Sequence, residues 1–446
     1  MTNTEREQFL QWVQKRNPNQ PEFVQAVEEV YEDLFPLLEE YPQYQQEKIL
    51  HRLTEPDRII SFRVCWEDDS GQIQINRGYR VQHCGAIGPY KGGIRFHPSV
   101  NESILKFLAF EQTFKNALTG LPIGSGKGGA DFNPKDRSDR EIMRFCQAFM
   151  NELYRHIGEN TDVPAGDINV GQREIGYLFG QYRRLANNFS GTLTGKDIDF
   201  GGSHVRLEAT GFGLVYFLEE MLKTTDDHLE DKIIAISGAG NVALHAALKA
   251  TQKNARVITL SNSSGTLLVE EGFDEDTLRE LLKTSSKPDL EQLAENLNGT
   301  WQAEQKPWAL SCDIALPCAT QNELDVNDAR QLADNGCKWL AEGANMPCTE
   351  EAIRILEKAG IPNAPGKASN AGGVALSGME MSQNASFTSL PYDQLDKKLQ
   401  QIMHNIHEQC VKNDENNQQE KMNYRRGANI AAFKRIASAL SSQGIG

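Results

Sequence analysis

The stretch Ile233-Ile234-Ala235-Ile236-Ser237-Gly238-Ala239-Gly240-Asn241-Val242-Ala243 decides how this chain is read. Its first four residues form a short apolar run of buried-strand type, and the alanine-rich segment after Asn241 reads as a helix. Between them stands Gly-x-Gly-x-x-Ala, a dinucleotide fingerprint with alanine in its third position. The first glycine makes a tight turn, the second lets a pyrophosphate approach the backbone at the helix start, and the small third residue lets helix and strand pack closely. Gly238 and Gly240 are therefore coenzyme candidates. The plain alternative is a tight turn in an unrelated α/β sheet.

Downstream, Arg256-Val257-Ile258-Thr259-Leu260 reads as a second strand, Asp313-Ile314-Ala315-Leu316-Pro317 as a third and Cys337-Lys338-Trp339-Leu340-Ala341 as a fourth. Strands alternating with helices predict a parallel, doubly wound sheet. The second strand runs into Ser261-Asn262-Ser263-Ser264, where an NAD-binding unit usually offers Asp or Glu to the ribose 2′-hydroxyl. Ser261 and Asn262 are neutral and would not repel a 2′-phosphate, so NADP is favoured over NAD, although no arginine adjoins them. A simple serine turn is the alternative.

Upstream of the glycine pair Gly201-Gly202 the pattern differs. Residues 6 to about 55 read as helical, Arg58 to Arg80 alternates as strands around Asp68-Asp69-Ser70-Gly71, and Ile104 to Leu118 has helical spacing with Gly120 as its stop. Gln112 and Lys115 fall on one face of that helix. Next comes Gly124-Ser125-Gly126-Lys127-Gly128-Gly129, which reads as a glycine-rich loop shaped for close approach by a ligand or another backbone. It is not a phosphate-binding P-loop, because Leu121 and Gly128 stand where that pattern needs glycine and Ser or Thr. A solvated surface lysine is the ordinary alternative. With Lys91 and Lys115, Lys127 would make a trio of cations suited to a substrate with two carboxylates, their repulsion driving one amine toward its neutral form. Asp167, in Pro164-Ala165-Gly166-Asp167, could shuttle protons beside such an amine, or merely form a turn.

The 446 residues suit two to three domains, and 39% hydrophobic content can build cores. A formal charge of -15 argues against a nucleic-acid or anionic-membrane partner. Residues 1–7 lack an apolar run and no stretch is long enough to span a bilayer, so a cytoplasmic setting is expected. Eight scattered cysteines without a C-x-x-C pair predict reduced thiols. His404, His407 and Cys410 share helical spacing but have no further ligand-type neighbour, so no metal is expected. The polar run Lys412 to Lys421 reads as a solvated loop.

Longer motifs carry a resemblance over nearly the whole chain: Gly88-Pro89-Tyr90-Lys91-Gly92-Gly93-Ile94-Arg95-Phe96-His97-Pro98, Glu111-Gln112-Thr113-Phe114-Lys115-Asn116-Ala117-Leu118, Gly126-Lys127-Gly128-Gly129, Pro164-Ala165-Gly166-Asp167, Glu208-Ala209-Thr210-Gly211 and Ala371-Gly372-Gly373-Val374. The sequence resembles the hexameric glutamate dehydrogenases of bacterial type in the Glu/Leu/Phe/Val dehydrogenase family. That resemblance implies a substrate-binding and oligomerisation α/β domain over 1–201, completed by carboxyl-terminal helices 377–446, and a Rossmann-like doubly wound dinucleotide domain over 202–376. It implies a homohexamer that interconverts glutamate with 2-oxoglutarate and ammonium in ammonia assimilation. Hydride would pass between Cα and the nicotinamide through an iminium, in a cleft that closes against water.

By the same resemblance Lys91 and Ser377 would bind the side-chain carboxylate, and Gln112, Lys115 and the Gly166 backbone the amino-acid end. Lys127 would be the catalytic lysine and Asp167 the proton-transfer acid, with Thr210, Asn241, Val242 and Asn345 at the coenzyme. A branched-chain or aromatic amino-acid dehydrogenase of the same family, whose relatives carry an apolar residue in place of Lys91, and a catalytically silent NADP-binding regulator are the alternatives. Ser125 replaces a glycine common in the family's lysine segment, and Asn262 stands where many NADP-dependent relatives carry Asp.

Overall fold

A computed structural model describes residues 3–284, 288–414 and 422–445. They form two compact units, the first within 1–206, 374–395 and 429–446 and the second within 207–373 and 396–428.

The first unit opens with helices α1 (Asn3–Arg16), α2 (Pro21–Glu40), α3 (Pro42–Gln46) and α4 (Ile49–Leu53). Strands β1 (Arg58–Glu67) and β2 (Ile73–Cys84) follow as an antiparallel hairpin, then β3 (Tyr90–Phe96), α5 (Glu102–Leu118), β4 (Ser125–Ala130), α6 (Asp139–Leu153), β5 (Asp162–Gly166) and α7 (Gln172–Ala186). The sheet order is β1-β2-β4-β3-β5. β4 runs antiparallel to β2 and parallel to β3, which is parallel to β5.

On one face, Phe96, Phe132, Phe145 and Phe149 build an aromatic core with Trp66, closed by α6 and α7. Burying each such ring removes roughly 150–250 Å² from water, which dominates the packing of this face. Helix α5 is started by the Asn101 side chain, which accepts from the Ile104 N–H at 2.9 Å, and is stopped by Gly120 at φ +74.

The glycine-rich segment around Lys127 is therefore a buried strand and not a loop. Its glycines, and those of β3, make room mainly for protein. A Cβ on Gly92 would lie 1.7 Å from the Gly126 carbonyl oxygen, and one on Gly93 would lie 2.7 Å from the Asp167 Cβ.

In the second unit, α8 (Ala209–Lys223), β6 (Ile233–Ile236) and α9 (Asn241–Gln252) precede β7 (Arg256–Val257), β8 (Thr259–Asn262) and β9 (Gly265–Leu268). The chain continues through α10 (Glu275–Lys283), α11 (Leu290–Asn296), β10 (Thr300–Ala303), β11 (Ile314–Leu316), α12 (Val326–Asp334), β12 (Trp339–Ala341), α13 (Glu350–Ala359), β13 (Asn363–Ala364) and α14 (Gly366–Ser369). The sheet β13-β12-β11-β6-β7 is parallel throughout, as the strand–helix alternation predicts.

One element differs from its sequence reading. The single strand expected over Arg256–Leu260 divides at Ile258, whose N–H donates to Ile234 in β6 while its carbonyl accepts from Val269. Beyond that switch β8 joins β9 and β10 in a separate antiparallel sheet.

Helices α15 (Gly372–Ser386), α16 (Tyr392–Asp414) and α17 (Tyr424–Gln443) complete the fold. The units divide elsewhere than expected: the first runs to 206 before the break and resumes at 374, and the carboxyl-terminal helices are shared, with 396–428 grouping with the second unit. The cause is side-chain bonding within each unit. The Tyr216 hydroxyl donates to Asp396 at 2.6 Å, and His404 pairs with Glu220 at 2.8 Å in the second unit. In the first, Asn429 donates to Asp33 at 2.7 Å and Arg435 to the Ala117 carbonyl at 2.6 Å.

His407, on the same helix as His404, meets the Tyr424 hydroxyl at 3.0 Å. All eight cysteines carry free thiols, buried except at Cys65. Within Lys412–Lys421, residues 412–414 close α16 and 415–421 lie outside the described residues. No described helix is long and apolar enough to cross a membrane.

Candidate active site and coenzyme site

Lys127 and Asp167 come together within the first unit. Lys127 projects from β4 with 5% of its side chain exposed, and its Nζ lies 3.1 Å from Asp167 Oδ1. The other Asp167 oxygen accepts from Arg95 Nε at 2.7 Å, so one carboxylate serves two cations. Burial pushes the Asp167 carboxyl up, but Lys127 and Arg95 outweigh it and hold the group at about 2. For Lys127 the balance is reversed. Burial lowers the amine, Asp167 opposes, and Arg95 and Arg80 add to the lowering, leaving it below the ordinary lysine range. An amine with reduced proton affinity in contact with an ionised carboxylate is an acid–base pair.

Lys91 lies on β3 opposite Val163 of β5 and is fully buried. Its Nζ donates to the Thr194 hydroxyl at 2.7 Å. Burial first, then Arg206, pulls it well below its usual range, against Glu380 and Asp162. Lys115, half-buried near the end of α5, is brought down to about 7 by burial and then by the Lys127 charge. Gln112, one turn earlier, donates to Asn116 Oδ1 at 2.6 Å. Ser377 is buried on α15, one turn before Glu380. Gly166 ends β5 immediately before Asp167, in register with Ile94 of β3. The Ser125 hydroxyl hydrogen-bonds the Thr113 hydroxyl at 2.6 Å and so ties β4 to α5.

In the second unit, Gly238, Gly240, Asn241 and Val242 form the turn from β6 into α9. Gly238 holds φ +87, and a Cβ on Gly240 would meet no atom within 4 Å, so the head of α9 presents open backbone of the kind a pyrophosphate needs. These residues fit a dinucleotide. The Ser261 hydroxyl accepts from the Gly238 N–H at 2.9 Å, which places Ser261 in support of the turn. Asn262 is exposed beside it and accepts from the Ser264 N–H at 2.8 Å. Asn241 donates to the Leu207 carbonyl at 2.7 Å, and Thr210 stands in the first turn of α8. Gly211, next to Thr210, lets α8 approach α9 so closely that a Cβ would sit 2.7 Å from the Val242 carbonyl oxygen. Asn345 is exposed after β12, its Oδ1 accepting from Asn370 at 3.1 Å.

Residues 201–444 match the Glutamate/Leucine/Phenylalanine/Valine dehydrogenase family, and residues 56–184 match the Glu/Leu/Phe/Val dehydrogenase dimerisation domain. The chain belongs to the Glu/Leu/Phe/Val dehydrogenase family. It is 55% identical over 441 residues to the NADP-specific glutamate dehydrogenase of Escherichia coli (strain K12), with 98% of each chain covered. It is also 51% identical over 442 residues to the NAD-specific glutamate dehydrogenase of Bacteroides fragilis (strain YCH46), covering 98% of this chain and 99% of that one. The crystal structure of Plasmodium falciparum glutamate dehydrogenase matches with a TM-score of 0.97 at 49% identity, covering 100% of this chain and 95% of that one.

Three residues of this Glu/Leu/Phe/Val dehydrogenase escaped the reading of its sequence. Arg95 lies within the Lys91 motif and is the second partner of Asp167. Thr194, in a polar stretch without a motif, reaches Lys91 across 103 residues of chain. Arg206 carries a buried Nε with no hydrogen-bond partner among the described residues and acts on both Lys91 and Lys115. For Arg95 the signal was available, since an arginine two residues from a double glycine in a buried strand needs an anion. For the other two, only the fold brings distant segments together.

Proposed function

We propose that this chain catalyses the reversible oxidative deamination of L-glutamate to 2-oxoglutarate and ammonia with NADP(H). The observation that carries this reading is the buried Lys127–Asp167 pair in the same unit as the buried Lys91. An acid–base pair alone would serve any amino acid; a further buried lysine in the same unit suits a substrate with a second carboxylate. That choice separates glutamate from the apolar amino acids of the family.

In the roles assigned here, Lys91 and Ser377 hold the distal carboxylate, and Lys115, Gln112 and the Gly166 backbone hold the amino-acid end. NADP, when bound, supplies the hydride acceptor or donor. Neutral Lys127 withdraws a proton from the water that attacks the iminium carbon, and Asp167 passes protons to the departing ammonia. Arg95 keeps Asp167 oriented and favours its ionised form before and after each transfer. Gly238, Gly240, Asn241, Val242, Thr210 and Asn345 bind the coenzyme, Ser261 braces its turn, and Asn262 faces the 2′-phosphate.

The test is a direct assay. Purified protein with 2-oxoglutarate, ammonium and NADPH should lose reduced-nicotinamide absorbance, faster than with NADH, and no turnover with either coenzyme would sink the reading. The same preparation should run as a homohexamer, since closed symmetry is the usual state of such enzymes. Six copies of the 49.8 kDa chain would scatter light as a particle of roughly 300 kDa.

A further inference from the structure

Behind Lys91, the segment Leu193–Lys196 holds a backbone shape that its own residues resist. Leu193 sits at φ +72, a left-handed conformation that a bulky residue rarely adopts, with its side chain buried in the aromatic core. Gly195 follows at φ +89. Between them Thr194 is aimed in two directions, its N–H to the Pro164 carbonyl at 2.9 Å and its hydroxyl to Lys91 Nζ at 2.7 Å. A strained shape persists only where its surroundings over-determine it.

The over-determining group is Glu380. One of its oxygens accepts from the Gly195 N–H at 2.9 Å; the other accepts from the Lys196 N–H at 3.4 Å and from Lys196 Nζ at 2.9 Å. Neither side chain of the Lys196–Glu380 pair is exposed. Lys196 also donates back to the Leu193 carbonyl, so carboxylate and ammonium close the segment from both ends. Glu380 stands one turn after Ser377 on α15, and the charges that face Lys91 are Arg206, Arg80, Asp162 and Glu380 itself.

We propose that Glu380 is a positioning residue for the substrate's distal carboxylate: by clamping the strained Leu193–Lys196 segment it aims the Thr194 hydroxyl, and through it the Lys91 ammonium. This inference rests on the proposed role of Lys91 as the carboxylate-binding cation. An amide at position 380 cannot reproduce the clamp, because its NH₂ group would face one of the donors the carboxylate now accepts.

The experiment compares wild type, Glu380→Gln and the double variant Glu380→Gln/Lys196→Met, which removes the buried pair without leaving a charge behind. Thermal melting confirms folding, and steady-state kinetics are taken across pH. Glu380→Gln should raise the KM for 2-oxoglutarate by about tenfold, the scale of one charge-assisted hydrogen bond, and leave the KM for NADPH unchanged. The alkaline fall of kcat/KM for 2-oxoglutarate should move to lower pH, because Lys91 loses a neighbouring anion. The double variant should melt normally yet keep the raised KM, and it is read in place of the single variant should that one not fold. A wild-type KM in the folded single or double variant, or an equal rise in the KM for NADPH, overturns the proposal. Wild-type protein without 2-oxoglutarate-dependent turnover would instead overturn the functional reading beneath it.

Discussion

Replacing Asp167 by Asn removes one charge and almost no volume, and its consequences can be worked out from the site. The carboxylate lies 3.1 Å from Lys127 Nζ and 2.7 Å from Arg95 Nε, with 16% of its side chain exposed. Its folded value of about 2, against an ordinary 3.8, makes it a group whose ionisation favours the folded state. Such a depressed acid contributes its stability above the unfolded value and loses it as pH falls toward the folded one. The shift corresponds to about 2 kcal/mol at neutral pH, vanishing between about pH 4 and pH 2.

The variant should therefore be less stable than wild type by about that amount at pH 7, and the gap should close on acidification. Chemistry should suffer more. Without the carboxylate no group relays the proton, and kcat should fall by ~10²–10⁴, the range for a general acid–base residue. NADPH binding, measured by its fluorescence, should be retained because the coenzyme residues belong to the second unit. A folded Asp167→Asn protein with wild-type kcat would refute the acid–base assignment.

Three further outcomes are expected. Lys91→Leu should lower kcat/KM for glutamate more than ~10-fold, since a charge-assisted hydrogen bond contributes about 1.5–3 kcal/mol, and should admit apolar amino acids; unchanged glutamate kinetics would place the carboxylate elsewhere. Lys115, lowered to about 7, is charged below that pH and neutral above it, so the KM for 2-oxoglutarate should climb through neutrality. Lys115→Met should flatten that climb, and an unaltered pH profile would exclude Lys115 as its source. Asn262→Asp should move the ratio of kcat/KM toward NAD⁺, because a carboxylate repels a 2′-phosphate, whereas a wild type that already prefers NAD⁺ would remove the premise.

The second unit's fold was legible because each of its signals is local. A strand, a Gly-x-Gly turn and a helix occupy consecutive residues 233–252, and the structure returns them as β6, turn and α9. The break at Ile258 was not legible, since its apolar run is continuous and only the partners of its N–H and carbonyl reveal the change of sheet. In the first unit, glycine content concealed a strand. β4 contains three glycines in six residues, which local propensity reads as a loop, while the close approach of β3 and of Arg80 makes small residues necessary. Lysines and the aspartate could be nominated from chemistry, but Thr194 and Arg206 come from segments whose relation to Lys91 exists only after folding.

Because Lys127 is mounted on an interior strand, its reactivity and its shelter have one origin. Val81 of β2 pairs with Lys127 itself and Ile94 of β3 with its neighbour Gly128, so the residue cannot swing outward unless both ladders part. Local fraying, which exposes lysines on loops to acylating and carbamylating reagents, is closed to this one. An amine poised to lose its proton is ordinarily the first to be lost to stray electrophiles; here only a molecule small enough to enter the folded site can reach it. The sheet thus acts as a size filter on the chemistry that this nitrogen encounters.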